Sequence, residues 1–241
     1  MRFVKVGDIN VNIDELVLDN SGHLQKSSCA YFKEKFSISH VIHFNDKEKI
    51  SPELFEKYLE KGYRRFGRVL YKNICPHCRM CVPIRIRVGN FKLSGSQKRV
   101  LKKNRKTNME IKPHEFCADN FYLFNNYRGN KHNSEFLSEF EFKIYYCESI
   151  IDTYDFNYKI DDNVIGIGIV DKGKSSISTV YFYFDVNYGK FSPGTYSIIK
   201  EIEYCQKNGI EYYYLGYYLK SHSTMDYKAN FKPHQLYLNN E

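Results

Sequence analysis

The apolar positions in the first half of the chain change their spacing from segment to segment, and each spacing predicts an element. Residues 51–63 open with a serine that can cap a helix and a proline suited to its first turn, and their apolar residues recur at helical spacing. The segment 64–73 reads as a strand. Isoleucines alternate with arginines over 82–91, which predicts another strand with its arginines on one face. A basic helix is predicted at 94–106, capped by the first or second serine of its SGS opening.

The second half of the chain has a different order of elements. Helices are predicted at 118–128, 134–149 and 195–208, and strands at 154–160, 163–171, 176–184 and 211–217. An antiparallel meander, then a helix, then a further strand is typical of an α+β fold of the N-acetyltransferase (GNAT) type. We therefore expect two regions: a basic, cysteine-containing α+β region at 1–112 and a GNAT-like acyltransferase domain at 113–241.

The turn between the central strand and its helix bears on the acyl donor. Acetyl-CoA enzymes of this fold hold the pyrophosphate on a glycine-rich turn, whose successive N–H groups point at the phosphates. Here the segment reads FDVNYGKFSPGTYSIIK, with Gly189 and Gly194 too far apart to form such an array. We therefore expect neither CoA nor a nucleotide cofactor.

Hydropathy and cysteine usage together predict the compartment. The start of the chain lacks the apolar core of a secretory signal, and the best apolar run, 164–170, has the length of a buried strand. We expect a cytoplasmic protein with no membrane partner. The seven cysteines should then be reduced, a state that favours metal binding over disulfides.

The net charge of +8 hides a strong asymmetry along the chain. From Lys61 to Met109 there are 15 Lys or Arg and no Asp or Glu, and the rest of the chain carries 21 basic and 28 acidic residues. Solvated surfaces usually mix both signs, so the stretch predicts a phosphate backbone as partner, with a plain basic surface as the alternative. The candidate tRNA-binding residues are Arg85, Arg87, Lys98, Arg99, Lys102 and Lys103.

Three cysteines follow one another as C-x-x-C-x-x-C at Cys75, Cys78 and Cys81, inside the basic stretch. Such spacing lets three thiols face one point, and Cys29 would complete a tetrahedral set. We predict a zinc ion or an iron–sulfur cluster on these four residues, and the alternative is four reduced thiols without metal. Four thiolates leave no open coordination position, so the predicted role is structural or regulatory.

The basic, cysteine-containing stretch also carries a family resemblance. Residues 62–104, GYRRFGRVLYKNICPHCRMCVPIRIRVGNFKLSGSQKRVLKKN, resemble the signature region of the bacterial aspartate/glutamate leucyltransferases, relatives of the arginyl-tRNA–protein transferases. The blocks at 29–31, 127–133 and 191–235 agree with it. The resemblance implies that an aminoacyl group, most of all leucine, passes from its tRNA to the N-terminal amine of proteins that begin with Asp or Glu, which marks them for degradation. An arginyl donor, and a non-catalytic metal-containing RNA-binding module on an acyltransferase-like scaffold, remain the alternatives.

Such a reaction needs a carboxylate pocket for the acceptor and polar groups near the ester. Guanidinium binds a carboxylate bidentately, so we expect the acceptor's acidic side chain to bind at Arg64, Arg65 and Lys228. The alternatives are further tRNA contact for the arginines and a surface position for the lysine. The candidate catalytic residues, near the ends of the strands that flank the last helix, are Asp185, Tyr183 and Tyr217.

Overall fold

The computed structural model describes residues 3–6, 9–12 and 22–238. Its strands are β1 Phe3–Val6, β2 Ile9–Asn12, β3 His23–Ser28, β4 Phe36–His43, β5 Arg64–Phe66, β6 Val69–Asn73, β7 Val82–Arg87, β8 Asn108–Pro113, β9 Thr153–Ile160, β10 Asn163–Lys172, β11 Ser176–Phe184, β12 Tyr212–Tyr218 and β13 Gln235–Leu236. The α-helices are α1 Pro52–Glu60, α2 Gly95–Lys103, α3 Ala118–His132, α4 Glu139–Phe142 and α5 Pro193–Lys207. Both classes of element occur throughout, so the expected α+β class is confirmed.

Seven strands form the main sheet, in the order β13-β7-β12-β11-β10-β9-β8. The neighbours are antiparallel except β11 and β12, which run parallel and are joined through α5. Helix α5 packs on the core of this sheet through an apolar face formed by Ile198, Ile199, Ile202 and Cys205. Burying this face and the strand side chains beneath it supplies much of the driving force that holds the helix on the sheet.

A second sheet has four strands in the order β3-β4-β6-β5. Its core includes Phe55 and Leu59 of α1 and Leu70 of β6, and it reaches the main sheet through Tyr214 of β12. The two sheets therefore share one hydrophobic boundary, and strand β5 lies close to β11 there.

Local capping explains why two helices begin where the sequence predicted. The Ser51 hydroxyl accepts a hydrogen bond from Leu54 N, with Pro52 in the first turn of α1. At α2 the cap is Ser94, whose hydroxyl accepts from Gln97 N while the Gln97 side chain accepts from Ser94 N. This reciprocal capping box satisfies two backbone donors at once.

Other predicted elements were wrong in their extent. The single strand over 64–73 is a hairpin of β5 and β6, because Gly67 takes a positive φ of 56° and turns the chain. The helix over 134–149 is only the short α4 followed by a π-helical turn, Lys143–Cys147. Strands β3, β4 and β8 were not predicted.

The strand order also bears on the predicted division at residue 112. That residue lies inside β8, and β7 and β8 belong to the same sheet as β9 to β12. Whether 1–112 and 113–241 are separate domains stays a prediction. In the part of the chain that the structure describes, no helix is long and apolar enough to cross a membrane.

Candidate functional site at the split between two parallel strands

The parallel strands β11 and β12 pair over only a few residues. The register runs from Ser176 opposite Tyr212 to Ser178 opposite Tyr214, where the pairing ends. Strand β12 then has an irregularity against β7 at Gly216, whose φ is +88°. In open α/β sheets, ligands bind outside the carboxyl ends of such strands. We therefore take the point where β11 and β12 separate, called the strand split below, as the candidate site.

Arg64 of β5 reaches into the strand split. Its Nη1 donates a hydrogen bond of 2.9 Å to the Ser178 hydroxyl, and its Nη2 donates to the Thr179 carbonyl. The residue is only 6% exposed. Both partners are neutral oxygens, so the hydrogen bonds orient the guanidinium without cancelling its charge.

Lys228 approaches the strand split from the turn Asp226–Asn230. Its Nζ donates a hydrogen bond of 2.9 Å to the Tyr217 carbonyl, and the residue is 9% exposed. The two cations meet beside Gly216, where an added Cβ would lie 3.1 Å from Arg64 Nη2 and 3.5 Å from Lys228 Nζ. Glycine is therefore the residue that leaves room for both groups at this backbone conformation.

Arg64 and Lys228 are two basic side chains buried side by side. Within the described residues, neither Arg64 nor Lys228 forms a salt bridge with a carboxylate. Burial, together with the charge of Arg64, lowers the pKa of Lys228 to about 7. Burying like charges together is costly unless an anion compensates them. The arrangement is suited to receive a carboxylate from a ligand.

Arg65 has a different partner, which corrects its expected place in the acceptor pocket. Its Nε and Nη2 bind the two carboxylate oxygens of Asp171 at 2.8 and 2.7 Å, and both side chains are fully buried. The Thr153 hydroxyl donates to the same carboxylate. Because this bidentate pair already uses the binding edge of the guanidinium, Arg65 is not available to a second carboxylate.

A cavity of about 1150 Å³ adjoins the strand split. Tyr31, Tyr71 and Tyr217 line it, and the charge of Arg64 acts on the pKa of all three hydroxyls. Burial is the larger effect and raises these pKa values, so the hydroxyls keep their protons at neutral pH. The Tyr217 oxygen accepts a hydrogen bond from Asn73 N at 3.2 Å, which leaves its own proton free to be donated.

The three predicted catalytic residues do not lie together. Tyr217 lines the large cavity, whereas Tyr183 is fully buried and its hydroxyl has no partner among the described residues. Asp185 follows the end of β11, caps the next turn by accepting from Asn187 N at 3.0 Å, and lines a separate cavity of about 430 Å³. Strand β11 continues away from the strand split before it reaches these two residues, so only Tyr217 remains beside the cation pair.

The four predicted metal ligands line the large cavity but do not form a ligand set as they stand. Among the residues that the structure describes, no three His, Cys, Asp or Glu side chains are placed to hold a metal ion. The Cys75 sulfur accepts a hydrogen bond from Ile38 N at 3.4 Å, and its thiol donates to Ile38 O at 3.8 Å. Burial raises the pKa of Cys81 to about 12. Cys29 and Cys78 line the same wall. A zinc or iron–sulfur group on these four residues stays a prediction.

Both halves of a known transferase family match this chain. A family model described as arginine-tRNA-protein transferase, N terminus, matches residues 27–99, and its C-terminal counterpart matches 119–238. A protein of Helicobacter hepaticus named aspartate/glutamate leucyltransferase is 32% identical over 224 residues, covering 89% of this chain and 90% of the relative. This chain belongs to that transferase family. The family predicted from residues 62–104 is thereby confirmed.

Further relatives of the same name are more distant. Those of Campylobacter jejuni and Saccharophagus degradans are each 28% identical over 217 residues and cover 88% of this chain and 90 or 91% of the relative. Among solved structures, L-PGS from Bacillus licheniformis matches with a TM-score of 0.47 and 12% identity. That match covers 78% of this chain and 55% of the other, about half of it. A likeness at this score supports no conclusion about the site.

The basic stretch of this transferase-family chain forms a surface mainly on α2. Four of its predicted tRNA-binding residues are exposed on that helix: Lys98, Arg99, Lys102 and Lys103. The buried Gln97 on the opposite side donates to the Asn230 carbonyl at 3.3 Å. The helix that exposes the cations therefore also contacts the turn that carries Lys228.

The two predicted tRNA-binding arginines on β7 already have partners within the protein. Arg85 donates to Gln235 Oε1 and to the Tyr214 hydroxyl, each at 2.8 Å. Arg87 forms an exposed salt bridge of 3.2 Å with Glu211. Both lie opposite the buried isoleucines of β7, as the alternation predicted, but neither presents a fully free guanidinium.

Two residues of the candidate site were not predicted from the sequence, although one of them left a signal. Gly216 interrupts a run of tyrosines and leucine in YYYLGYY, and an isolated glycine inside a strand pattern indicates an irregularity or a close approach. Tyr71 gave no comparable signal, because a tyrosine in a strand is most often a core residue.

Proposed function

We propose that this chain transfers the leucyl group of leucyl-tRNA to the N-terminal α-amine of proteins that begin with Asp or Glu, and so marks them for degradation. The observation that carries the proposal is the buried pair of Arg64 and Lys228 beside Gly216, which lacks a carboxylate partner within the described chain. The relatives' name, aspartate/glutamate leucyltransferase, indicates the transferred group and the acceptor residues, and the site has the charge that an acidic acceptor requires.

The acceptor's carboxylate binds between Arg64 and Lys228. Charge-assisted hydrogen bonds to a guanidinium and an ammonium are roughly twice as strong as neutral ones. An amide in place of the carboxylate would leave both cations uncompensated, so Asn and Gln at the N-terminus are rejected. With its side chain held there, the acceptor's α-amine lies toward Tyr217 and the large cavity.

The chemistry needs no covalent enzyme intermediate. The neutral amine attacks the ester carbonyl, the new C–N bond forms, the C–O bond to the tRNA ribose breaks, and the amine proton passes to the departing ribose oxygen. Positioning and stabilisation of the developing oxyanion are the protein's contribution. The protonated hydroxyls of Tyr31, Tyr71 and Tyr217 line the adjoining cavity and can donate to that oxyanion.

The rest of the tRNA lies along the basic surface of α2 in this proposal. Its exposed Lys and Arg residues would bind phosphates, and their binding would depend steeply on salt. The meander β9–β10–β11, followed by α5 and the parallel strand β12, supports an N-acetyltransferase-type arrangement. Metal analysis of the purified protein, with Cys78→Ser for comparison, tests the separate prediction of a zinc or iron–sulfur group.

The transfer assay compares isosteric acceptors. Labelled leucyl-tRNA or arginyl-tRNA is incubated with peptides that differ only in an N-terminal Asp or Asn. We expect leucine on the Asp peptide, at least about tenfold less on the Asn peptide, and loss of this preference in Arg64→Gln. Transfer from neither tRNA, or equal use of the two peptides, would contradict the proposal. Transfer from arginyl-tRNA alone would support the proposed acceptor site but show that the donor is arginyl-tRNA rather than leucyl-tRNA.

A further inference from the structure

The large cavity between the two sheets has an apolar rim. Four of the exposed large hydrophobic residues of the described chain lie on its lining: Phe36, Phe66, Tyr145 and Leu238. Phe36 is 62% exposed and Leu238 51%. Scattered exposed apolar residues need no explanation, but their gathering around one cavity marks a binding site.

The charged residues that line the cavity are basic. Lys35, Lys72 and Arg79 line the cavity, and none of its described lining residues is Asp or Glu. Protein surfaces usually mix both signs. A ligand that matches this wall has an apolar or aromatic body and carries negative charge.

Two of the rim residues form an aromatic step. The rings of Phe66 and Tyr145 stack with centroids 5.2 Å apart and planes 15° from parallel, and both side chains remain partly exposed. Stacking of bases on such rings is a main source of affinity for single-stranded nucleic acids, and cations beside them bind the backbone. The combination of an aromatic step with lysine and arginine suits a nucleotide.

The position of the cavity connects it to the acceptor site. The Tyr217 side chain lines the cavity while its carbonyl binds Lys228, so a single residue separates the cavity from the cation pair. A volume of about 1150 Å³ exceeds what a leucine side chain alone requires and is slightly larger than ordinary ligand pockets. There is room for an amino acid together with its nucleoside.

We propose that this cavity receives the 3′-terminal aminoacyl-adenosine of the tRNA, with the base on the aromatic step. Its described wall, which is basic and contributes no acid, would admit an uncharged aminoacyl side chain and reject a cationic one. The inference rests on the proposed function and adds the donor's binding site and the basis of its selection. An arginyl side chain would enter a space that Lys35 and Arg79 line and to which the described residues contribute no carboxylate. A leucyl side chain carries no charge and can pack on the apolar and aromatic residues of the lining.

The test uses a stable donor fragment. The probe is 2-aminopurine riboside 5′-phosphate in which a 3′-amide joins the leucyl group in place of the reactive ester. Its base fluorescence falls when the base stacks. We expect quenching on binding to the wild-type protein and at least about tenfold weaker binding to Phe66→Ala, the loss typical of one stacked base. Phe140→Ala removes another exposed phenylalanine, outside the cavity lining; it is the control and should bind as the wild type does.

The arginyl form of the same probe tests the selection. We expect it to bind at least about tenfold more weakly than the leucyl form, and equal binding would overturn the inference. So would wild-type protein that transfers leucine but binds no probe, or probe binding that an Asp-initiated peptide abolishes by competition, since the cavity would then hold the acceptor chain. Probe binding without any transfer would instead refute the proposed function and leave the nucleotide site.

Discussion

Replacing Lys228 by Met should make the protein more stable at neutral pH. The lysine is buried beside Arg64, and burial lowers its pKa to about 7 from an ordinary value of 10.5. Between these two values the unfolded chain binds a proton that the folded chain lacks, so the unfolding free energy of the wild type rises with pH over this window, and the burial penalty is complete below pH 7. A methionine of similar length fills the space without the charge.

The size of the effect follows from the pKa difference. At about 1.4 kcal/mol per pKa unit, the penalty is about 4 kcal/mol at pH 7 and about 1 kcal/mol at pH 9.5. The variant also loses the hydrogen bond from Lys228 to the Tyr217 carbonyl, worth about 1 kcal/mol. Lys228→Met should therefore be more stable than the wild type by about 3 kcal/mol at pH 7, and nearly equal to it at pH 9.5.

Urea unfolding at the two pH values measures this difference, with the exposed Lys220→Met as control. The same variant should lose transfer to the Asp peptide, so stability and activity move in opposite directions. A variant that is less stable than the wild type at pH 7, or a stability difference that does not change with pH, would refute the reasoning about a buried, uncompensated charge.

Three further predictions address other parts of the molecule. Asp171→Asn should lower the unfolding free energy by about 3–5 kcal/mol, because it leaves Arg65 buried without its partner, and urea unfolding checks this. Arg99→Glu should weaken tRNA binding and reduce the slope of log affinity against log salt by about 1 or more, whereas Lys47→Glu, outside the acid-free stretch, should not. Gly216→Ala should lower kcat/KM for the Asp peptide, because a side chain at its positive φ is strained and crowds both cations.

The sequence predicted those elements whose signals are local. The caps of α1 and α2 and the helical pattern of α5 are each contained within one segment, and the structure has these helices where expected. Strands β3 and β4 lack a strong alternation and depend on pairing with each other and with β6, which no local window contains.

For the candidate site, too, residue types could be read from the sequence, but contacts between distant residues could not. Arg64 and Lys228 were each predicted as carboxylate ligands from residue type, but their meeting at Gly216 depends on folding across most of the chain. Residue type equally suggested Arg65 as a carboxylate ligand, and only the structure shows that its guanidinium already binds Asp171. Asp185 was placed near the end of the correct strand but on the wrong side of where the strands separate.

The adjacent arginines of β5 give this short strand a fixed register. Arg64 reaches β11 and Arg65 reaches Asp171 on β10, although they are neighbours in the chain. A slip of one residue against β6 would exchange the two, leaving Asp171 without its arginine and the strand split without its cation. The buried pair of Arg65 and Asp171 thus fixes the register of β5 and thereby the position of Arg64. Of two adjacent arginines, one anchors the strand and the other is the cation that the anchored strand holds at the strand split.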